Sequence, residues 1–348
     1  MGVLLVTAHR SGSGKTSLVA ALLSQMLAED RRVAYYKPFS TSPDNDPDIA
    51  FISETILADT DSPPVPTPLA LPRNGSNGPL LPEEQAQTIR QSLSEIQSTA
   101  GVVLIEGPDA VSPDGEPWSL PIDLTDLLAC PALLIFPYAN GLDFQTVLSA
   151  AESFSPGLSG LVINGVTSYR QRDVELGSLA QLRAAGATVF GAIPEDRVML
   201  GVTVQQISEQ LGGRWIQDPV NTDACIDRFL LGGNIMDAGH TYYGRYANQA
   251  VIVRAERPDI QMACLMEDTK CLVLTGGSEP SDYVKAEALE RDVPLISVTG
   301  NTLDTAEALA GVLERATPYS QTKVERFGQL MRQNLDMEAL SAVLTTSS

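Results

Sequence analysis

The chain has 348 residues, of which 43% are hydrophobic and 19% charged, so it has material for more than one buried core and does not have the composition of a disordered chain. Acidic residues outnumber basic ones 43 to 23, and the net charge of −20 repels nucleic-acid phosphates, which excludes a nucleic-acid-coating role while leaving room for a small local anion site. With only two histidines (His9 and His240) a multi-histidine metal centre is excluded, and four dispersed cysteines without a CxxC pair (Cys130, Cys225, Cys264, Cys271) read as buried free thiols. The longest apolar runs, such as 127–138, are well short of the ~20 residues a bilayer demands. No basic leader precedes the first apolar strand, so the expectation is a cytoplasmic protein that touches neither membrane nor nucleic acid.

Strands and helices alternate through most of the sequence. A short apolar strand over Val3–Thr7 precedes a helix over Ser17–Glu29, whose Leu18, Leu22 and Met26 recur at helical spacing. Strands follow at Val33–Tyr36, Gly101–Glu106, Ala132–Phe136, Gly160–Asn164 and Thr188–Ile193, with helices at Ala86–Ser98, Phe144–Phe154 and Gly177–Ala185. Continuous apolar strands alternating with helices predict a parallel sheet covered on both faces. The stretch Thr60–Pro82, with seven prolines and the pairs Asn74-Gly75 and Asn77-Gly78, reads as a loop. A helix over Val204–Leu211 ends at Gly212-Gly213, which marks a boundary. Beyond it a shorter alternation predicts strands at Gln249–Val253, Cys271–Leu274 and Pro294–Val298, and helices at Pro258–Met266, Ser281–Glu290 and Thr302–Leu313, followed by a last helical stretch over Thr322–Leu344. The expected domains are 1–213, 214–320 and a tail over 321–348.

The sharpest local signal is Gly12-Ser13-Gly14-Lys15-Thr16-Ser17 between the first strand and the first helix. Glycines let successive N–H groups turn toward an anion, the helix N-terminus adds partial positive charge, Lys15 suits the outer phosphates and the Thr16 hydroxyl suits magnesium. The spacing departs from GxxxxGK[ST], because His9 stands where the first glycine would fall. Arg10 is within reach of a phosphate or simply solvated. At successive strand ends stand Lys37, in Tyr36-Lys37-Pro38, and Glu106, in Glu106-Gly107-Pro108, while Asp44, Asp46 and Asp48 crowd the loop after Lys37. Such ends face the crevice of a parallel sheet.

The order of these motifs, continued by Val162-Ile163-Asn164-Gly165 and Phe190-Gly191-Ala192-Ile193-Pro194-Glu195, resembles the dethiobiotin synthetase-like ATPases and their cobyrinic acid amidase relatives over about residues 1–212. The resemblance implies an α/β fold with a parallel-sheet P-loop NTPase domain. It further implies ATP and Mg2+ as cofactors, held by Gly12, Ser13, Gly14, Lys15, Thr16 and Ser17. Thr16, Asp48 and Glu106 would be the magnesium partners, Lys37 would steer an anionic substrate or its phosphorylated intermediate, and Asn164 and Pro194 would line the adenine side. Lys15 and Lys37 are the expected catalytic residues.

Beyond residue 213, Glu256-Arg257, Thr275-Gly276-Gly277 and Val298-Thr299-Gly300-Asn301-Thr302 resemble the DRTGG-type module, with Glu256 where the motif has Asp. Asp259 and Thr302 are expected as helix caps. The domain order resembles the amino-terminal part of long bacterial phosphate acetyltransferases. The ~30 residues after position 320 are too few for an acyl-transferring core, so acetyl transfer is not expected. Amidase chemistry has only Cys225 and His240 as its nearest pair, without a nucleophile elbow. His240 and Arg245, beside Tyr242 and Tyr243, read either as a packed surface or as an anion pocket. Three functions follow: a magnesium-ATP-dependent regulator or sensor, an ATP-dependent ligase or carboxylase, and a scaffold with a vestigial nucleotide site. The small second domain is expected to drive homo-oligomer formation through Tyr242, Tyr243 and the helix beginning at Pro258.

Overall fold

The computed structural model describes residues 2–72, 81–138, 142–233 and 239–346, leaving out the side chains of His240 and Thr346. Asn74-Gly75 and Asn77-Gly78 therefore lie outside the described residues. The chain forms two compact units, Met1–Glu195 with Val324–Ser348, and Asp196–Lys323.

The first unit is built on a six-stranded parallel sheet: β1 (Gly2–Ala8), β2 (Val33–Tyr36), β3 (Val102–Glu106), β4 (Ala132–Pro137), β5 (Leu158–Val166) and β6 (Val189–Pro194), in the order β2-β3-β1-β4-β5-β6. The connecting helices include α1 (Lys15–Ala28), α2 (Glu83–Gln97), α3 (Leu120–Leu128) and α4 (Phe144–Ser153). All of β1, β2 and β3 is buried, which is why these strands read as unbroken apolar runs rather than as alternating ones. The chain runs from β1 to the edge at β2, returns to β3 beside β1, then crosses to β4 on the other side of β1 and continues outward to β6. The order thus reverses at β1, and the crevice opens at its carboxyl end.

The Thr60–Pro82 loop is partly pinned. Leu69-Ala70 pairs with Phe39-Ser40, just past Lys37. The helix expected over Gly177–Ala185 lies within a longer, irregular helical stretch over 171–184 whose middle, Val174–Leu179, is π-helical.

The second unit has a five-stranded sheet of β7 (Arg214–Trp215), β8 (Arg228–Gly232), β9 (Gln249–Arg254), β10 (Thr269–Thr275) and β11 (Leu295–Ser297), in the order β7-β11-β10-β9-β8, with only β7 antiparallel. Its helices are α5 (Val204–Leu211), α6 (Pro258–Leu265), α7 (Asp282–Glu290) and α8 (Thr302–Ala308). Alternate residues of β9 and β10 feed two cores. Val251, Val253, Leu272 and Leu274 meet Ile260 and Leu265, while Ala250, Ile252, Cys271 and Val273 meet Ile207 and Leu309.

Four expectations for this half need correction. The helix read over Thr302–Leu313 stops at Ala308, and a separate 3-10 turn covers Val312–Arg315 after the left-handed Gly311. Its cap is Asn301, whose side chain accepts from the N–H groups of Leu303 and Asp304, whereas the Thr302 hydroxyl bonds that of Thr275. Asp259 does not cap α6 but forms a two-pronged pair with Arg257. Tyr243, expected at an interface, is 2% exposed and packs in the core with its ring edge-on to Tyr242.

The stretch read as one helix over Thr322–Leu344 is two, α9 (Gln321–Asn334) and α10 (Met337–Thr346). The break docks on the first unit: Leu335 bridges Gly191, and the Asp336 N–H donates to the Phe190 carbonyl at 2.8 Å. Gly191, at φ 151°, has no room for a side chain, because a Cβ there would lie 2.2 Å from the Asn334 carbonyl oxygen.

Candidate functional site

The carboxyl ends of β1, β2, β3 and β5 bring most of the expected residues together. After β1 the backbone turns through left-handed Gly12 (φ 74°) and Gly14 (φ 93°), and α1 begins at Lys15. Gly14 serves as the N-cap without a side-chain bond, so the first N–H groups of α1 are not used by a capping residue. Ser13 is buried, and its hydroxyl donates back to the Arg10 carbonyl at 2.5 Å. Asn164, at the end of β5, donates its amide to the Ser13 carbonyl at 2.8 Å. Its nitrogen therefore braces the loop, a job separate from the adenine contact expected of it. Ser17 is buried in the first turn of α1, Arg10 is exposed on the loop, and Pro194 ends β6 in register with Val166.

Under the loop, Thr16 donates to Glu106 at 2.8 Å, and the other oxygen of Glu106 accepts from Tyr35 at 2.8 Å. Glu106 is 2% exposed. Burial and the nearby Asp48 push its pKa above the usual carboxylate range, against the opposing pull of Lys15, Lys37 and the Tyr35 bond. Burial, with Glu106 and Asp48 beside it, likewise drives the Tyr35 hydroxyl well above its ordinary value.

Lys37 is the residue whose surroundings differ most from the expectation. Its ammonium lies 2.7 Å from Asp46 and 2.5 Å from Asp48. Burial works against the charged lysine, yet Glu106, Asp48 and the bonds to Asp46 and Asp48 outweigh it and raise its pKa. Asp46 also accepts from Ser40 at 2.6 Å and from the Ile49 N–H at 3.0 Å, which nucleates the short helix Pro47–Phe51. Burial opposes the Asp46 charge, but these donors overcome it and hold its pKa low. Asp44 is exposed and stands apart from this clamp.

Two residues escaped the sequence reading. Asp109 takes the Lys15 ammonium at 2.8 Å. Tyr35, read only as a strand residue, holds Glu106 from below. The Glu106-Gly-Pro-Asp109 spacing, an acid one turn past a strand end, was the available signal for the first. His9 stacks on Phe136 with ring centroids 4.3 Å apart. Burial and Arg10 lower its pKa, against Asp109, so the ring is biased toward neutrality.

Thr16, Glu106 and Asp48 offer a hydroxyl and two carboxylates, the hard oxygen donors that suit magnesium with phosphate and water completing its shell. Among the described residues no three His, Cys, Asp or Glu side chains gather as a ready-made cation cage. Such a metal would need donors from its ligand. All four cysteines are buried and free, and burial raises the pKa of Cys225, so the pairing with His240 gains no nucleophile. Arg245 bonds the Thr241 carbonyl at 3.0 Å and sits 5.8 Å over the Tyr242 ring, while the His240 side chain lies outside the described residues. Among the described residues no helix is long and apolar enough to cross a membrane.

The chain is 24% identical to the phosphate acetyltransferase of Nitratidesulfovibrio vulgaris over 378 residues, 98% of this chain but 51% of that enzyme, so it spans about half the length of the acetyltransferases it matches. It is 31% identical to the ATP-dependent dethiobiotin synthetase BioD of Streptomyces coelicolor over 208 residues, 56% of this chain and 84% of that one. Among solved structures, the MinD cell division protein of Aquifex aeolicus, in its complex with MinC, is 14% identical, with a TM-score of 0.37 over 57% of this chain and 84% of that one. Family models match residues 3–201 as an AAA domain and residues 206–312 as a DRTGG domain. With more than half its length matched, the chain belongs to the dethiobiotin synthetase-like AAA domain family and carries a DRTGG domain behind its P-loop domain.

Proposed function

We propose that the protein binds magnesium-ATP at the end of β1 and uses it to regulate contacts made through its DRTGG domain, as a nucleotide sensor. The observation that carries this reading is the 2.8 Å bond between Thr16 and the buried Glu106, directly beneath a glycine turn that carries Lys15. Lys15 would meet the outer phosphates, and the N–H groups of Gly12 to Ser17 would face them, with Arg10 at the rim and Asn164 and Pro194 toward the base. Thr16, Glu106 and Asp48 would hold magnesium, which when bound neutralises phosphate charge. The four reduced thiols are in keeping with work in the cytoplasm.

Lys15→Ala tests the site. Removing a charge-assisted contact of ~1.5–3 kcal/mol is expected to weaken magnesium-ATP binding about ten- to a hundredfold by calorimetry, and an unchanged affinity in a folded variant overturns the assignment.

A second reading, an ATP-dependent ligase that activates a carboxylate through a phosphorylated intermediate, draws on the 31% identity to dethiobiotin synthetase. It needs Lys37 free for an anionic substrate, and the double pairing with Asp46 and Asp48 favours the sensor. Mass spectrometry of co-purifying small molecules separates them: ATP or ADP alone supports the sensor, and biotin precursors support the ligase. Self-association through the second unit belongs to the same proposal. Because Tyr243 is interior, its contacts would come from exposed side chains such as Met266, Tyr283 and Leu289. Light scattering on the full chain is expected to give a dimer or larger species.

A further inference from the structure

We infer that Asp109 is a built-in competitor for the phosphate site: its carboxylate occupies Lys15 when no nucleotide is bound, and it must be displaced before that lysine can take a phosphate oxygen. The inference rests on the nucleotide reading of the P-loop and names how that site is regulated.

The pair is close, at 2.8 Å, and neither side chain is freely solvated, with 16% of the lysine and 20% of the aspartate exposed. A charge-assisted bond in that setting is stronger than a surface pair.

The backbone beneath Asp109 is tied down on every side. The Gly107 N–H donates to the Val6 carbonyl and the Ala110 N–H to the Ala8 carbonyl, each at 2.8 Å, and the Thr7 hydroxyl donates to the Pro108 carbonyl at 2.6 Å. The Asp109 carbonyl itself accepts from the indole of Trp118, which is 8% exposed. The turn therefore cannot swing away as a lid would. An arriving phosphate wins Lys15 by rotating one side chain off the other, and the carboxylate, on its fixed backbone, stays within reach to compete on every dissociation.

The local charge deepens the effect. Lys15 and Lys37 face Asp46, Asp48, Glu106 and Asp109, two lysines against four acids, with Arg10 the further cation on the exposed rim of the loop. A polyphosphate enters an acidic site whose one lysine at the loop already has a partner. Competition of this kind keeps affinity low enough for occupancy to follow nucleotide concentration, as a sensor requires.

Asp109→Asn removes the charge and keeps the shape. Asp114→Asn, at an exposed acid in the same loop, is the control for net charge. Titration calorimetry of the full chain with magnesium-ATP and magnesium-ADP reads the affinity, and thermal melting without nucleotide reads the fold. Asp109→Asn is expected to bind about tenfold tighter or more, with Asp114→Asn within about twofold of the parent. If Asp109→Asn binds no tighter than a parent that does bind, the carboxylate is not a competitor and the inference falls while the nucleotide site stands. Equal gains in both variants overturn it too, because general charge then suffices. If the parent, Asp109→Asn and Asp109→Ala all fold and none binds either nucleotide, the nucleotide reading itself fails and takes the inference with it.

Discussion

Gly14→Ala probes the phosphate loop through two effects that can be separated. Gly14 sits at φ 93° and ψ 20°, in the left-handed region. An added Cβ would lie 2.3 Å from the Asn164 amide nitrogen, far inside any real contact. An alanine held at such a φ costs ~1–2 kcal/mol. The clash forces the Asn164 amide off the Ser13 carbonyl, now 2.8 Å away, at a further ~0.5–1.5 kcal/mol for a lost hydrogen bond. Together the loss is about 1.5–3.5 kcal/mol. Urea unfolding, followed by a probe on the first unit, should show a lower midpoint at unchanged slope. In an Asn164→Ala background the bond is already gone and Gly14→Ala adds only the strain, so the double variant should lose less than the two single variants do in sum, by about 1 kcal/mol. If Gly14→Ala costs under ~0.5 kcal/mol, or if its effect simply adds to that of Asn164→Ala, the proposed brace between β5 and the loop is wrong.

Other perturbations reach different parts of the chain. Glu106→Gln should keep nucleotide binding but lose its dependence on magnesium, checked by calorimetry with and without the cation; equal dependence would remove Glu106 from the site. Asn301→Ala strips α8 of both cap bonds and should destabilise the second unit by ~1–2 kcal/mol in a thermal melt. Lys323 is 1% exposed and gives its three N–H groups to the carbonyls of Met199, Gly201 and Thr317, and burial lowers its pKa to about 8. The folded state therefore gives up this proton more readily than the unfolded one, so this lysine's contribution to stability should rise with pH from about 8 toward 10.5. Lys323→Met should flatten that rise, and it should lower stability at pH 7 because three carbonyls lose their donor; an identical pH profile in both proteins counts against the shift.

Much of the first unit was legible because its signals are local and redundant. Buried parallel strands read as apolar runs, and Gly12 to Ser17 can serve little else between a strand and a helix. The second unit was less so. β8 (Arg-Phe-Leu-Leu-Gly) is a partly exposed edge strand with no alternation to mark it, and β7 is two residues long, too short for any period. The missed break between α9 and α10 is tertiary. Leu335 and Asp336 leave the helix to bond Gly191 and Phe190, far away in sequence. A helix pattern carries no trace of that.

The same distinction explains the site. Lys15 and Thr16 stood out because a glycine turn between a strand and a helix places them, and Glu106 because it ends a buried strand. What each is bonded to depended on side chains the sequence order does not pair: Asp109 onto Lys15, Tyr35 onto Glu106, and Asp46 and Asp48, further along the same loop, onto Lys37. Those partners bear on one functional expectation. A strand-end lysine suggests a hand held out to an anionic substrate. A lysine gripped by two carboxylates, one of them also capping the helix Pro47–Phe51 and bonded to Ser40, is part of the frame that shapes the loop. Freeing it for a substrate would leave Asp46 almost fully buried without its cation, an outcome that costs several kcal/mol in such settings. On the proposed reading, that lock favours the sensor over the ligase.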